Sequence, residues 1–361
     1  MEPLRIGLIG VGMMGREHIR NIKLFPDARI TAICDPVAEQ RALTRQTLGP
    51  AADGVAEFET VEALVADAKL DAVLIVSPNH THRRVLEPLF ETQLAILCEK
   101  PLCTTVDDAR WAAERAARRR AVFWTGMEYR FMPPVARFID DIHKGDVGRL
   151  QMLTIREHRF PFLPKVGDWN RFSRNTGGTL VEKCCHFFDL MRLIVKSHPT
   201  KIYCSGAMDV NHKTERYNGE TPDIIDNAFC IVDFESGARA MLDLCMFAEG
   251  VEEQEAITAV GDKARLDVFI PSGNLIRSPR VPLGQPKAPV TTHVDVDPAA
   301  LAAGTHHGST YYQMQAFLEA VRGRGPVIVT AEDGLRAVAM GAAAEKSARE
   351  GRVVSLSEFG L

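Results

Sequence analysis

Apolar residues come in short unbroken runs over the first third of the chain and in alternation afterwards, with the change near residue 127. Ile6–Ile9, Ile30–Cys34, Ala72–Val76, Ala95–Cys98 and Val122–Gly126 are apolar at consecutive positions, as strands covered on both faces should be. Between them, Met13–Phe25, Val37–Leu48, Val61–Ala68, Thr81–Thr92 and Val106–Arg120 space their apolar residues three and four apart, which predicts helices. Pro26 stops the first, and Thr105 with Asp108 three residues on is expected to cap the last. Strand and helix alternating in this way predict an α/β domain with a doubly wound parallel sheet over residues 1–127.

After residue 127 one helix, Pro133–Lys144, ends at Gly145. The strands Arg149–Phe160, Lys201–Asp209, Asn227–Phe234, Ala238–Phe247, Glu255–Val260 and Ala264–Phe269 then follow one another, with turn residues at 235–237 and 261–263. A helical segment, Thr179–Val195, interrupts them. Residues 271–304 are rich in Pro, Gly and Ala and read as an extended loop, before helices at Thr310–Arg322 and Ala331–Arg349. Residues 128–361 are therefore expected to form an α+β domain with a mainly antiparallel open sheet.

Composition narrows the function. A formal net charge of -4, from 43 Lys+Arg against 47 Asp+Glu, argues against a nucleic-acid partner. The one dense basic run, Arg118–Arg120, closes a helix, where cations are favourable. No apolar run approaches the roughly 18 residues of a membrane span, so no membrane partner is expected. The eight cysteines are scattered without a Cys-x-x-Cys spacing, and no secretory signal precedes them, so we expect reduced thiols in a cytoplasmic protein. Cys184, Cys185, His186 and the His306-His307 pair lack the usual ligand spacing, and no metal is expected.

Gly10-Val11-Gly12-Met13-Met14-Gly15 fits G-x-G-x-x-G and stands between a strand and a helix, the context in which it binds a dinucleotide. Gly10 permits the turn, Gly12 lets the backbone approach the pyrophosphate, and Gly15 allows close packing of helix on strand. The helix start, with Met13 and Met14, offers free N–H groups to the phosphates. Asp35 ends the second strand, twenty residues past Gly15, and suits the adenosine ribose hydroxyls; it would repel a 2′-phosphate, which favours NAD over NADP. Arg41, six residues on, keeps NADP open. Two further segments fall at the C-terminal ends of parallel strands, where such sheets bind ligands: Ser77-Pro78-Asn79 through His82, and Glu99-Lys100-Pro101. Pro101 holds Lys100 outside the helical region, at the mouth of the sheet.

With these motifs the chain resembles the glucose–fructose oxidoreductase / inositol dehydrogenase / rhizopine catabolism (Gfo/Idh/MocA) family over nearly its whole length. Glu99-Lys100-Pro101 after the fifth strand is the most specific element, beside Ser77-Pro78-Asn79, the Gly177-Gly178 segment and the closing helices. The resemblance implies a Rossmann domain, a second domain whose open sheet often mediates dimers or tetramers, and NAD(P)-dependent oxidation of a hydroxyl on sugars, inositols and related polyols. It also implies a Lys-Pro peptide that is often cis.

In Thr179-Leu180-Val181-Glu182-Lys183-Cys184-Cys185-His186, Glu182 and His186 are four apart and Asp189 three further on, one face of a helix. The family usually has Asp where this chain has Glu182. His186 is the expected general base and Lys100 the group that stabilises the substrate oxygen, with Glu182 orienting substrate or lysine. Lys183 adds a positive charge near the pocket. Tyr129, Arg130, His158, Trp169, Arg171 and Asp226 are further candidates for the sugar site, and His306, His307, Tyr311 and Tyr312 weaker ones. Two alternatives stay open: an NAD-dependent enzyme that cleaves glycosides by transient oxidation and elimination, and a non-catalytic NAD-binding sensor.

Overall fold

A computed structural model describes residues 2–361. Its first sheet is wholly parallel and contains β1 (Leu4–Ile9), β2 (Ala28–Cys34), β3 (Ala56–Phe58), β4 (Ala72–Ile75), β5 (Ala95–Glu99) and β6 (Phe123–Gly126). The order is β3-β2-β1-β4-β5-β6, so the winding reverses between β1 and β4. That reversal opens a crevice at the C-terminal strand ends, where Gly10, Ser77 and Lys100 lie. The strands are apolar on both faces because helices cover both. The edge strand β3 escapes the sequence pattern because only Phe58 of its three residues is even half-buried.

The second sheet has nine strands: β7 (Leu150–His158), β8 (Pro199–Ala207), β9 (Asn227–Phe234), β10 (Arg239–Cys245), β11 (Glu255–Gly261), β12 (Ala264–Ile270), β13 (Asn274–Pro279), β14 (Val290–His293) and β15 (Val354–Ser355). Their order is β14-β13-β12-β11-β7-β10-β9-β8-β15. All neighbours are antiparallel except β7 and β10. That parallel pair follows from the long excursion between them, which carries helices and two strands before returning. The expected loop at 271–304 in fact holds β13, β14 and a helix, Pro298–Ala303, capped by Asp297. Its exposed edge strand gives no alternation to read, since every residue of β14 is exposed.

Alternation in β7 decides what faces the site. Leu153, Ile155 and Glu157 point inward under the helices, while Met152, Thr154, Arg156 and His158 point to the uncovered face. On that uncovered face Met152 of β7, Tyr203 of β8 and Phe229 and Ile231 of β9 are 56%, 42%, 60% and 49% exposed, a set of apolar side chains from three strands. The C-terminal part of the chain packs on the first sheet: Met314, Phe317, Leu318 and Val329 join the core of β1 and β4, and Thr125 N donates to Val329 O at 3.1 Å. Among the described residues no helix is long and apolar enough to cross a membrane.

Candidate active site

The glycine turn has the shape the motif requires. Gly10 has φ +86°, and a Cβ there would lie 2.4 Å from Ser77 N. A Cβ on Gly15 would lie 2.5 Å from Gly10 O, whereas one on Gly12 would meet nothing within 4 Å. Open space therefore adjoins the start of the Met13–Ile22 helix, whose Gly12 cap leaves the first N–H groups without a side-chain acceptor. Met13 is exposed at this mouth and Met14 half-buried. Asp35 accepts from Val11 N (3.0 Å) and Val37 N (2.9 Å), which holds its acceptor-only carboxylate at the crevice with lone pairs to spare. Arg41 is spoken for: it donates to Asp35 O and Glu59, and pairs with Glu57 at 3.4 Å. These features fit a dinucleotide without a 2′-phosphate.

Residues at the next strand ends divide into exposed and structural. Asn79 is buried with its Nδ2 unpartnered beside Ser77 and Pro78. His82 differs from expectation. It is fully buried, with Nε2 3.1 Å from Ser77 O and Nδ1 2.9 Å from Pro101 O, so it ties two loops together and its ring does not reach the crevice. Glu99, expected at the cofactor, is likewise buried: its Oε1 is 2.8 Å from His18 Nε2 and its Oε2 accepts from Lys100 N. Burial alone would push Glu99 up, but His18 outweighs it and holds the carboxyl below its usual range; the same pairing raises His18. Glu99 thus fixes the backbone of Lys100. The Lys100–Pro101 peptide is cis, and Lys100 Nζ donates to Glu182 O at 3.0 Å.

The helical segment predicted as continuous is broken. Gly177 and Gly178, at φ +81° and +94°, turn the chain into a short helix, Thr179–Glu182. Cys184 N reaches back to Thr179 O, and a second helix, Cys185–Val195, begins after the step. The break releases Glu182 O for Lys100 and separates Glu182 from the face of Asp189. Asp189 instead takes both Nε (2.9 Å) and Nη2 of Arg130 in a buried pair, and Arg130 Nη1 donates to Ile328 O. Arg130, expected at the substrate, is therefore part of the framework.

His186 is 2% exposed, stacked on Tyr129 with centroids 4.0 Å apart and planes at 9°, and its Nδ1 has no partner. Burial, then Lys100 and Lys183, hold it well below the ordinary histidine value, so the ring is neutral at neutral pH. Glu182 is also buried, with Oε2 unpartnered; burial pushes it up against the pull of Lys100, Lys165, Arg171 and Arg159. Lys183 turns away from the mouth: its Nζ donates to Tyr129 Oη and lies 2.9 Å from Glu157 Oε1. His158 is not in the site, because it faces the opposite side of the sheet, paired with Asp243 at 3.0 Å. Trp169 stands edge-on to His80, with centroids 6.0 Å apart, and Arg171 binds Glu215 at 3.0 Å. Asp226 caps the backbone of 209–211 and takes no part.

Several groups were not singled out from the sequence. Glu157 and Glu255 face each other across β7 and β11, fully buried behind Lys183, each with Oε2 unpartnered. Inward alternation (153, 155, 157 and 255, 257, 259) was the signal that marks them. His306, a weaker candidate in the sequence, has its Nδ1 2.7 Å from Oε1 of Glu17, which the sequence did not mark; burial opposes the histidine's charge, but Glu128 and Glu17 raise it, and Glu17 falls to about 2. Among the described residues no His, Cys, Asp or Glu group is arranged to hold a metal ion.

Burial lifts Glu255 to about 7. Its folded value exceeds the ordinary 4.5, so the stability it contributes is present below pH 4.5 and is lost as pH rises through 7. Glu255→Gln is expected to remove that loss and to offer an N–H to Glu157 Oε2, gaining about 2 kcal/mol at pH 8 and nothing at pH 4. Urea unfolding at both pH values measures it; equal effects at both would contradict the reading.

Comparison with known proteins assigns the two halves of the chain. Residues 4–127 match the family model described as oxidoreductase family, NAD-binding Rossmann fold, and residues 139–356 match the oxidoreductase family C-terminal alpha/beta domain. A myo-inositol 2-dehydrogenase of Thermotoga maritima is 25% identical over 359 residues, covering 98% of this chain and 99% of that protein. An NAD(+) scyllo-inositol 2-dehydrogenase of Bacillus subtilis is 24% identical, covering 98% and 97%. The fold also matches levoglucosan dehydrogenase in complex with NADH and levoglucosan, with a TM-score of 0.86, 18% identity and coverage of 98% and 100%. Glycine turn, Glu-Lys-Pro and family models agree: the chain belongs to the Gfo/Idh/MocA family and is an NAD-binding oxidoreductase.

Proposed function

We propose that the protein oxidises a hydroxyl carbon of a sugar, inositol or related polyol, with His186 as general base and Lys100 stabilising the substrate oxygen. The observation that carries this reading is that Lys100, at the end of β5 and held by Glu182 O, lies within electrostatic reach of the buried imidazole of His186, whose Nδ1 has no partner. When bound, NAD⁺ supplies the acceptor for the hydride leaving the carbinol carbon. His186 takes the hydroxyl proton on a ring nitrogen, and the C–H and O–H bonds are exchanged for a C=O bond. Lys100 donates to the oxygen as negative charge develops on it. Glu182 O fixes the ammonium, and Tyr129 fixes the plane of the imidazole. The relatives named for inositol oxidation support the substrate class. Spectroscopic titration of NAD reduction against polyols and sugars tests it: NADH accumulates with at least one polyol, whereas release of a free sugar from a glycoside without net NADH would favour cleavage.

We further propose that Gly10, Gly12, Met13, Met14, Gly15, Asp35, Ser77, Pro78 and Asn79 line the dinucleotide, and that NAD is preferred to NADP. Asp35→Ala is expected to weaken NAD binding by about tenfold or more, through lost hydrogen bonds to a charged acceptor, while NADP binding holds or improves. Fluorescence titration reads both constants; an unchanged ratio would overturn the preference. The division near residue 127 and self-association remain part of the proposal. An uncovered apolar sheet face favours a second copy. Phe229→Asp with Ile231→Lys should yield a monomer in light scattering, and an unchanged mass would place any association elsewhere.

A further inference from the structure

A hydrogen bond at Nδ1 is what usually fixes the plane of a catalytic imidazole. His186 has none, for its Nδ1 is without a partner. Its plane is set instead by the stack on Tyr129, with centroids 4.0 Å apart and planes at 9°. Aromatic pairs tolerate a range of offsets, so such a stack orients the imidazole only if the tyrosine is itself held.

Two contacts hold it. Phe187 meets the tyrosine ring edge-on, with centroids 5.7 Å apart and planes at 71°. Lys183 Nζ donates to Tyr129 Oη and lies 2.9 Å from Glu157 Oε1. Tyr129, Lys183 and Glu157 are 4%, 4% and 0% exposed, so this line of bonds is withdrawn from solvent from the inner face of β7 to the imidazole. Packing does not explain the lysine. An apolar pair of like size in place of Lys183 and Glu157 would fill the same space at little or no loss of stability. It could not hold the phenol oxygen at one point.

Resting on the hydroxyl-oxidising reading above, we propose that Lys183, held by Glu157, is a positioning residue that fixes the imidazole of His186 through Tyr129. Its charge acts on the same ring. Lys183 Nζ is 4.6 Å from the Tyr129 centroid, which places a unit positive charge within about 9 Å of the imidazole. The other cations acting on His186 are Lys100, His306 and Arg159. Facing them are Glu182, whose backbone O holds Lys100, Glu17 and Glu128 at 2.7 and 4.0 Å from His306, and Glu157 at 3.4 Å from Arg159, paired across the strands with Glu255. Removing Lys183 alone takes away a positive charge and leaves Glu157 without its ammonium, and both changes favour a charged imidazole.

Kinetics of the full chain test this, with sites counted by fluorescence titration of NADH and turnover followed on whichever of myo-inositol, scyllo-inositol, D-glucose and D-glucitol forms NADH fastest. Lys183→Met and Tyr129→Phe each lower kcat about tenfold or more, while KM and NADH affinity stay within about threefold. The variant carrying both changes is no slower than the slower single one, because one hydrogen bond carries both effects. The acid limb of the kcat/KM profile rises by about one pH unit in Lys183→Met and stays in place in Tyr129→Phe, which keeps the ammonium. Should Lys183→Met fail to fold because it strands Glu157, Lys183→Met with Glu157→Gln removes one charge of each sign and shows the same loss of kcat at a near-normal unfolding temperature. Turnover per site within threefold of wild type in the lysine variants overturns the proposal, as do losses that multiply when Tyr129→Phe and Lys183→Met are combined. Normal turnover by His186→Asn overturns the hydroxyl-oxidising reading instead. NMR of selectively labelled histidine rings then still decides about the lysine: the His186 signal, assigned by its absence from His186→Asn, titrates at a higher pH in Lys183→Met than in wild type, and an unchanged titration overturns the proposal.

Discussion

His186→Asn is expected to lower kcat/KM by about a thousandfold, and Lys100→Ala by about a hundredfold or more, with NAD affinity changed only a few-fold. The first figure is the usual contribution of a positioned general base, and the second that of one donor aimed at a developing oxyanion. Asn fills much of the space beside Tyr129, so the loss is chemical and not a collapse of the stack. NAD affinity holds because the contacts expected of the glycine turn and Asp35 use neither side chain. The double variant should lose less than the product of the two, since both groups act on one oxygen. The wild type should keep its activity at pH values below the ordinary histidine range, because burial and the neighbouring lysines hold His186 neutral there. Steady-state kinetics with fluorescence titration of NAD checks all of these. Near-normal turnover in both single variants would remove the proposed chemistry.

The second large effect concerns stability. Arg130→Met should cost about 3–5 kcal/mol, because it strands the Asp189 carboxylate, 1% exposed, without its bidentate partner. Thermal unfolding should fall by roughly 10 °C for a chain of this size. Adding Asp189→Leu should recover most of the loss, since removing both charges leaves nothing unpaired. A substrate-binding arginine would behave differently: Arg130→Met would raise KM and leave the unfolding temperature in place.

That contrast shows where the sequence was legible. Periodicity and the glycine turn fixed the parallel sheet, the ligand edge and the position of Lys100, because these depend on local patterns and on backbone space at Gly10 and Gly15. Arg130 and His158 could not be read the same way, since a polar side chain takes its role from a residue distant in the chain. Asp189 lies 59 positions from Arg130, and Asp243 lies 85 from His158. Strict alternation along β7 would have exchanged His158 for Glu157, a signal that was present but overshadowed by the chemistry of histidine. The break at Lys183–Cys184 left no trace either, because the helical spacing of Glu182 and His186 survives on paper while the backbone steps between them. The anchoring of Lys100 by that step, through Glu182 O, is a tertiary fact with no local signature.

The central claim is that one substrate oxygen is shared by Lys100 and His186. A crystal structure of the protein with NADH and its best-binding sugar or polyol tests it most directly. The account predicts a substrate hydroxyl oxygen about 2.6–3.2 Å from both Lys100 Nζ and a ring nitrogen of His186. A bound substrate whose hydroxyls all lie beyond reach of one or both would contradict it.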